Sequence, residues 1–188
     1  MNKIIIVSAP SGSGKSTLIG KLMQDNSLKL EFSVSATTRL PRGNEKNGIE
    51  YYFYSPEEFK KLIKEDALIE YEEVYTDRFY GTLKSEINRI FEKGHNVIFD
   101  VDVEGGINLK KIFQKDALSI FIQPPSIEEL EKRLINRKTD STSDIEKRIN
   151  KASLEITRAD MFDIVVINDD LDKAFGIFKT EIETFLQK

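Results

Sequence analysis

Between an apolar run at Ile4–Val7 and a segment of helical period at Lys15–Gln24 stands the tract Ala9-Pro10-Ser11-Gly12-Ser13-Gly14-Lys15-Ser16-Thr17. A strand that ends in a glycine-rich turn and feeds directly into a helix is the arrangement of a phosphate-binding loop. The glycines let successive backbone N–H groups converge on phosphate oxygens, and the helix N-terminus adds partial positive charge. Lys15 has the reach for terminal phosphates, and the Ser16 hydroxyl suits direct coordination of Mg²⁺. The strict spacing asks for glycine at position 9, where this chain has the nearly as small Ala9. The plainer alternative is a tight strand-to-helix turn that binds nothing. With glycine at about 7% of residues, a chance GxGK(S/T) arises in about 1% of chains this long, and placement after the first strand makes chance rarer still. Such a loop specifies phosphate but not the reaction.

Short β-branched runs alternate with charged segments of helical period along the rest of the chain. Ile4–Val7, Phe32–Val34, Asn96–Val101, Leu118–Ile122 and Ile164–Ile167 read as buried parallel strands. Helices are predicted at Lys15–Gln24, Leu83–Lys93, Gly106–Phe113, Ile127–Arg137, Asp144–Ala159 and Leu171–Leu186. Ser126 and Glu129 have capping-box spacing at the start of the fourth. This alternation predicts an α/β fold in which a mostly parallel sheet is flanked by helices. Two stretches interrupt it. Residues 35–82 hold a Tyr51–Tyr54 run, a helix opened by Ser55-Pro56-Glu57-Glu58 and an apolar-aromatic run from Ala67 to Tyr75, which predicts a small mixed or antiparallel insertion. Asn136–Ser143 is polar and aperiodic between two Arg-bearing helices, and reads as a mobile helical hairpin.

Composition narrows the chemistry. The 188 residues suffice for one domain with its own core and small insertions. Twenty-eight Lys and Arg against 32 Asp and Glu give a net charge of −4, without the broad cationic excess that coating nucleic acid demands. The chain has no cysteine and only one histidine, His95, which removes disulfides, thiolate chemistry and His-cluster metal centres. His95 lies at a helix-to-strand turn and reads as a surface residue without a role. The N-terminal apolar run is too short for a signal peptide and no window approaches a membrane span, so the expectation is a soluble, cytoplasmic protein with neither membrane nor nucleic-acid partners.

A second phosphate-binding element is suggested by Phe32–Arg42, where Arg39 and Arg42 sit with several hydroxyls at a strand end and in a proline-stiffened loop. Arginine clamps phosphate bidentately, although two arginines three apart are often only solvated loop charges. Their position after the second strand of a phosphate-loop chain, with Tyr51-Tyr52 and Tyr80-Gly81-Thr82 further on, favours the cradle of an acceptor monophosphate. A signalling GTPase would carry Asn-Lys-x-Asp after a strand; here Ile167-Asn168-Asp169-Asp170 lacks the lysine.

At this point the sequence resembles the guanylate kinase family over essentially its whole length. The resemblance rests on SAPSGSGKST at 8–17, FSVSATTRLPRGNEKNGIEYYF at 32–53, ALIEYEEV at 67–74, YGT at 80–82, IFDVDVEG at 98–105, IQPPSIEELEKRL at 122–134 and VINDDLDKA at 166–174. It implies a core at residues 1–34, 84–124 and 151–188, a GMP-binding insertion at 35–83 and a lid at 125–150. The implied activity is ATP-dependent phosphorylation of GMP, and of dGMP, with Mg²⁺. By position it implies that Ser35, Arg39, Arg42, Tyr51 and Tyr80 take the acceptor phosphate and that Glu70, Thr82 and Asp102 read guanine. The base offers N1–H and an amino group as donors and O6 as acceptor, so a carboxylate and a hydroxyl select it over adenine. From the residues alone, Glu70 is equally an ordinary surface carboxylate. Asp100 would orient the water shell of Mg²⁺ near Ser16, or else cap a loop. Arg133, Arg137 and Arg148 would fold over ATP, or else form a solvated basic face with Lys132, Lys138 and Lys147. The chain departs from the family pattern at Glu104, at Lys138 and in the loop Tyr75–Phe79.

Transfer of a phosphoryl group asks mainly for alignment and charge neutralisation, so a histidine-poor chain is compatible with it. Three rivals share the phosphate loop or the fold: a kinase for another monophosphate, a non-catalytic guanylate-kinase-like binding domain, and a hydrolytic GTPase or ATPase. The first has no need of Glu70, Thr82 and Asp102 together, the second tends to lose the loop lysine, and the third consumes nucleotide without an acceptor.

Overall fold

In the computed structural model, residues 2–136 and 142–187 are described. Strands β1 (Ile4–Ser8), β2 (Leu30–Phe32), β7 (Asn96–Asp100), β8 (Ala117–Gln123) and β9 (Ile164–Ile167) form a five-stranded sheet in the order β2-β7-β1-β8-β9. β1 pairs in parallel with β8 from Ile4↔Ala117 to Ser8↔Phe121, and β8 in parallel with β9 from Ile120↔Ile164 to Gln123↔Ile167. Every residue of β1 is buried, which explains why its sequence shows no polar alternation. Helices α1 (Lys15–Leu22), α4 (Val103–Phe113), α5 (Ile127–Asn136), α6 (Thr142–Ile156) and α7 (Leu171–Leu186) complete this part. Ile5, Val7, Leu18, Ile19, Leu22, Ile120, Ile122 and Phe178 share one apolar cluster. Leu130, Leu134 and Ala152 bury the contact between α5 and α6. Among the described residues no helix is long and apolar enough to cross a membrane.

The chain divides into two compact units, one of Lys3–Leu30 with Ile98–Lys188 and the other of Glu31–Val97. The second contains a four-stranded mixed sheet in the order β4-β3-β6-β5, made of β3 (Ala36–Thr37), β4 (Tyr52–Phe53), β5 (Leu68–Tyr75) and β6 (Arg78–Leu83). β3 runs parallel to β4 and antiparallel to β6, and β5 pairs antiparallel with β6. Helix α2 (Pro56–Lys64) starts at a complete capping box: Glu58 N–H donates to Ser55 Oγ at 3.2 Å and Ser55 N–H to Glu58 Oε2 at 2.7 Å. Helix α3 (Lys84–Glu92) follows β6 directly. Phe59 and Phe79 stack at 5.3 Å in a core shared with Ala36, Leu68 and Leu83. Gly81 of β6 permits this closeness, since a Cβ there would lie 2.7 Å from the Glu70 carbonyl and 3.2 Å from Phe59.

Several expected boundaries move, each for a local reason. β2 ends at Phe32, not Val34, because the Val34 N–H donates to the Glu86 carboxylate at 3.1 Å instead of to a strand. α4 begins at Val103, not Gly106, because Asp102 caps it by accepting from Gly105 N–H at 2.8 Å. β7 stops at Asp100, before Val101, and α1 at Leu22, before Gln24. α6 ends at Ile156, and a 3₁₀ turn at Ala159–Met161 follows. The expected hairpin turn at Asn136–Ser143 falls largely on residues 137–141, outside the described residues.

His95 has a partner. Its Nδ1 lies 3.0 Å from Glu31 Oε2, and the same carboxylate accepts from Lys93 at 2.9 Å and from Arg89. Burial pushes the Glu31 carboxyl upward, but the Lys93, Arg89 and His95 contacts outweigh it and hold it near 2, against an ordinary 4.5. A depressed carboxylate contributes stability above its unfolded value and loses it as pH falls through the folded one. The contribution is therefore full above about pH 5 and gone near pH 2. Glu31→Gln is expected to destabilise the protein at pH 7 by about 1–2 kcal/mol after allowance for screening. Urea titrations should show this difference from the parent vanish between pH 4.5 and 2, and a pH-independent difference would contradict the assignment.

Candidate functional site

In the unit containing β1, the loop from Ala9 to Gly14 turns back toward α1 by a Ser13 N–H bond to the Pro10 carbonyl at 3.2 Å. Gly12 and Gly14 have φ of 97° and 91°, left-handed values that explain glycine at both positions. Ala9 and Ser13 are buried, Pro10 is covered, and the side chains of Ser11, Ser16 and Thr17 are exposed. Gly14 caps α1 without a side chain, and the first turn holds no acidic residue, so the helix N-terminus keeps its donors for an external anion. Lys15 Nζ pairs with the Asp100 carboxylate and donates to the Val101 carbonyl at 3.1 Å. Asp100 ends β7, at the carboxyl edge of the sheet where open α/β folds bind ligands.

The arginines expected over ATP are anchored close by. Arg148 Nη1 donates to Ser11 Oγ at 2.6 Å. Arg133 Nη1 donates to the Asn168 carbonyl at 3.1 Å and its Nε to Glu129 Oε1 at 3.3 Å. Arg137 and Lys138 lie outside the described residues. Asp102, besides capping α4, borders a cavity of about 380 Å³ lined also by Glu104, Lys151, Leu154, Glu155 and Arg158. Glu155 is pushed up by burial and by the nearby Asp102 charge, although Lys151 opposes this. Glu104, a departure from the family pattern, is ion-paired with Arg158.

In the unit of Glu31–Val97, Arg39 is only 7% exposed. Its guanidinium donates through Nη1 and Nη2 to the two oxygens of Glu45 at 2.8 and 3.0 Å, and through Nη1 to the Leu40 carbonyl at 2.8 Å. It also lies 5.0 Å from the centre of the Tyr51 ring and 5.7 Å from that of Phe53. The Glu45 and Tyr80 contacts raise Arg39 above its ordinary value despite burial. Glu45 in turn is lowered by Arg39 and by the Arg42 N–H, which donates to it at 2.7 Å. Tyr51 and Tyr80 meet edge to face at 6.1 Å, and burial raises the Tyr51 hydroxyl, so it is a neutral donor at pH 7. The Ser35 carbonyl accepts from Tyr52 N–H at 2.9 Å, while the Arg42 side chain is exposed. Glu70 and Thr82 are cross-strand partners on β5 and β6, and the Thr82 hydroxyl donates to Glu70 Oε1 at 2.8 Å. Thus Arg39, Tyr51 and Tyr80 form one group and Glu70 and Thr82 another.

Residue-level reading of the sequence missed three groups. Glu45 gave a faint signal as the acid three residues past Arg42. Glu86, 2% exposed, receives Val34 N–H, the Tyr52 hydroxyl at 3.0 Å and Arg89 at 2.7 Å. Asn168 enters the sequence reading in a failed guanine motif and in the family-like run 166–174 but with no role of its own, yet its Nδ2 donates to the Ser13 carbonyl at 2.7 Å.

A family model described as guanylate kinase matches residues 1–185. A guanylate kinase of Bacteroides fragilis is 56% identical over 184 residues, 98% of this chain and 90% of that protein. One from Porphyromonas gingivalis is 54% identical over 188 residues and the full length of both chains. The crystal structure of guanylate kinase from Anaplasma phagocytophilum superposes with a TM-score of 0.75 at 29% identity, covering 100% of this chain and 87% of that one. A family-model match over residues 1–185 and a full-length relative at 54% identity place the chain in the guanylate kinase family of nucleoside monophosphate kinases.

Proposed function

We propose that the chain binds ATP at Ala9–Thr17 and GMP through the segment 35–83, and passes the terminal phosphoryl group from one to the other, yielding ADP and GDP. The observation that carries the acceptor's identity is the pairing of Glu70 with Thr82, which sets a carboxylate and a hydroxyl side by side on adjacent strands. A carboxylate accepts from guanine N1–H and its amino group, and the Thr82 hydroxyl, whose one proton is held by Glu70 in this structure, turns from Glu70 to donate to O6; adenine offers the opposite pattern at both positions. Asp102, which also lines the cavity beside α6, is assigned the remaining guanine contact.

At pH 7 the acceptor's phosphate oxygen is already deprotonated, since such groups lose their second proton near pH 6. A bond forms between that oxygen and the γ-phosphorus as the bond to ADP breaks, so no proton has to be removed and no histidine base is needed. The work falls to cations and donors. Lys15 and the loop N–H groups hold the donor phosphates, with Arg133, Arg137 and Arg148 as the lid's cations over them. Arg39, Arg42, Tyr51, Tyr80 and Ser35 hold the acceptor phosphate. Glu45 keeps the Arg39 fork in one orientation in the meantime. The exposed Ser16 hydroxyl and the Asp100 carboxylate fit Mg²⁺, a hard cation that takes one or two protein oxygens and completes its shell with phosphate and water. Among the described residues no cluster of three or more acidic or histidine side chains offers a self-sufficient cage. When bound, Mg²⁺ would neutralise charge on the phosphate oxygens.

Glu70→Gln tests the guanine contact, because it keeps the shape and exchanges an acceptor oxygen for a donor. The KM for GMP is expected to rise about tenfold or more while the KM for ATP stays within about twofold, as befits one lost charged hydrogen bond. An unchanged KM for GMP would remove Glu70 from the guanine site.

A further inference from the structure

Asn168 follows β9 directly, is 5% exposed and spends three of its four polar groups on other elements. Its N–H donates to the Gln123 carbonyl at 2.8 Å, which extends the β8–β9 pairing by one residue and fixes its position to the sheet. Its carbonyl accepts from Arg133 Nη1 at 3.1 Å. Its side-chain amide donates to the Ser13 carbonyl at 2.7 Å, in a buried setting. The space is closed on the loop side, since a Cβ on Gly14 would fall 2.2 Å from Asn168 Nδ2.

The peptide between Ser13 and Gly14 is planar and trans, as are all peptides described here. In a trans peptide the C=O and the following N–H point in opposite directions. Holding the Ser13 carbonyl from the side of the sheet therefore aims the Gly14 N–H the other way. We propose that Asn168 is a positioning residue for the donor nucleotide. Its amide orients the Gly14 N–H for a phosphate oxygen through the Ser13 carbonyl, and its own carbonyl holds Arg133. This rests on reading Ala9–Thr17 as the ATP loop. The Ser13 oxygen is purely an acceptor, so the group facing it must donate, and glycine at position 14 is required by the Asn168 side chain as well as by its left-handed backbone.

The test compares Asn168→Ala and Asn168→Asp with the parent. The first removes the donor and leaves the Ser13 carbonyl unpaired; the second keeps the shape and replaces the donor with an acceptor. Titration of a non-hydrolysable ATP analogue with Mg²⁺, without any acceptor, is expected to show affinity weakened about tenfold or more in both variants. In ¹⁵N spectra, the downfield shift of the Gly14 amide on nucleotide addition should shrink. The KM for GMP should stay within about twofold. Analogue affinity within twofold of the parent, or an undiminished Gly14 shift, overturns the proposal. So does a KM for GMP that rises in step with the analogue's dissociation constant, since this would mark general loosening. If Asn168→Ala does not fold, the same criteria apply to Asn168→Asp. The analogue titration needs no acceptor, so a parent protein inactive with GMP would overturn the acceptor reading and leave this measurement intact.

Discussion

Lys15→Ala is expected to lower GMP-dependent ADP production by about a thousandfold or more, with the fold retained. Positioned cations supply most of the charge stabilisation in phosphoryl transfer, and loss of one such group costs factors of this order. Lys15 sits at the start of α1 with its ammonium between the Asp100 carboxylate and the Val101 carbonyl. Its removal takes a positive charge from the donor phosphates and leaves the Asp100 charge beside them uncompensated. Structural loss should be small, because partly exposed ion pairs contribute at most about 1 kcal/mol. The checks are kcat with saturating ATP and GMP and a thermal melt. A variant that melts like the parent and turns over within tenfold of it would remove Lys15 from the chemistry.

Arg39→Ala should produce a loss of similar size in kcat/KM for GMP, but with a structural cost as well. Arg39 is buried, forked onto Glu45 and set against the Tyr51 and Phe53 rings, so truncation leaves Glu45 facing a cavity without its partner. The structural cost is the lost packing against the two rings and the lost Glu45 partner, moderated because Glu45, at 23% exposure, can reach water. Arg39→Lys separates the two effects, because it keeps charge but loses the bidentate fork. It is expected to melt near the parent yet lose about a hundredfold in kcat/KM for GMP, with the KM for ATP little changed. An Arg39→Lys variant with parental GMP kinetics would show that the fork does not hold the acceptor.

What the sequence disclosed, it disclosed through short-range patterns. The strand-turn-helix around Ala9–Thr17 was legible because its signals are local: φ-positive glycines, a helix start and a lysine within nine residues. Ser55 and Glu58 announced α2 for the same reason. Unbroken apolar runs gave the central strands because both faces of β1 are covered. Misplaced boundaries arose where a distant side chain competes for a backbone N–H, as Glu86 does for Val34 across 52 residues. The Asp102 side chain likewise caps α4, so the helix begins three residues before its periodicity shows. Asn168 and Ser13 are 155 residues apart, and nothing in either local sequence signals their contact. Glu31 shows the same limit: one glutamate between Leu30 and Phe32 in β2 becomes the shared acceptor for Arg89, Lys93 and His95 only after folding.

The most direct test of guanine-selective phosphoryl transfer is the initial rate of ADP formation from ATP and Mg²⁺ with GMP, AMP, UMP or dTMP, and with no acceptor. Each good base-reading hydrogen bond to a charged group discriminates by about tenfold or more, so GMP is expected to exceed the other acceptors by at least about a hundredfold in kcat/KM, with one GDP formed per ADP. ADP formation at the same rate without acceptor, or equal use of AMP, would contradict it.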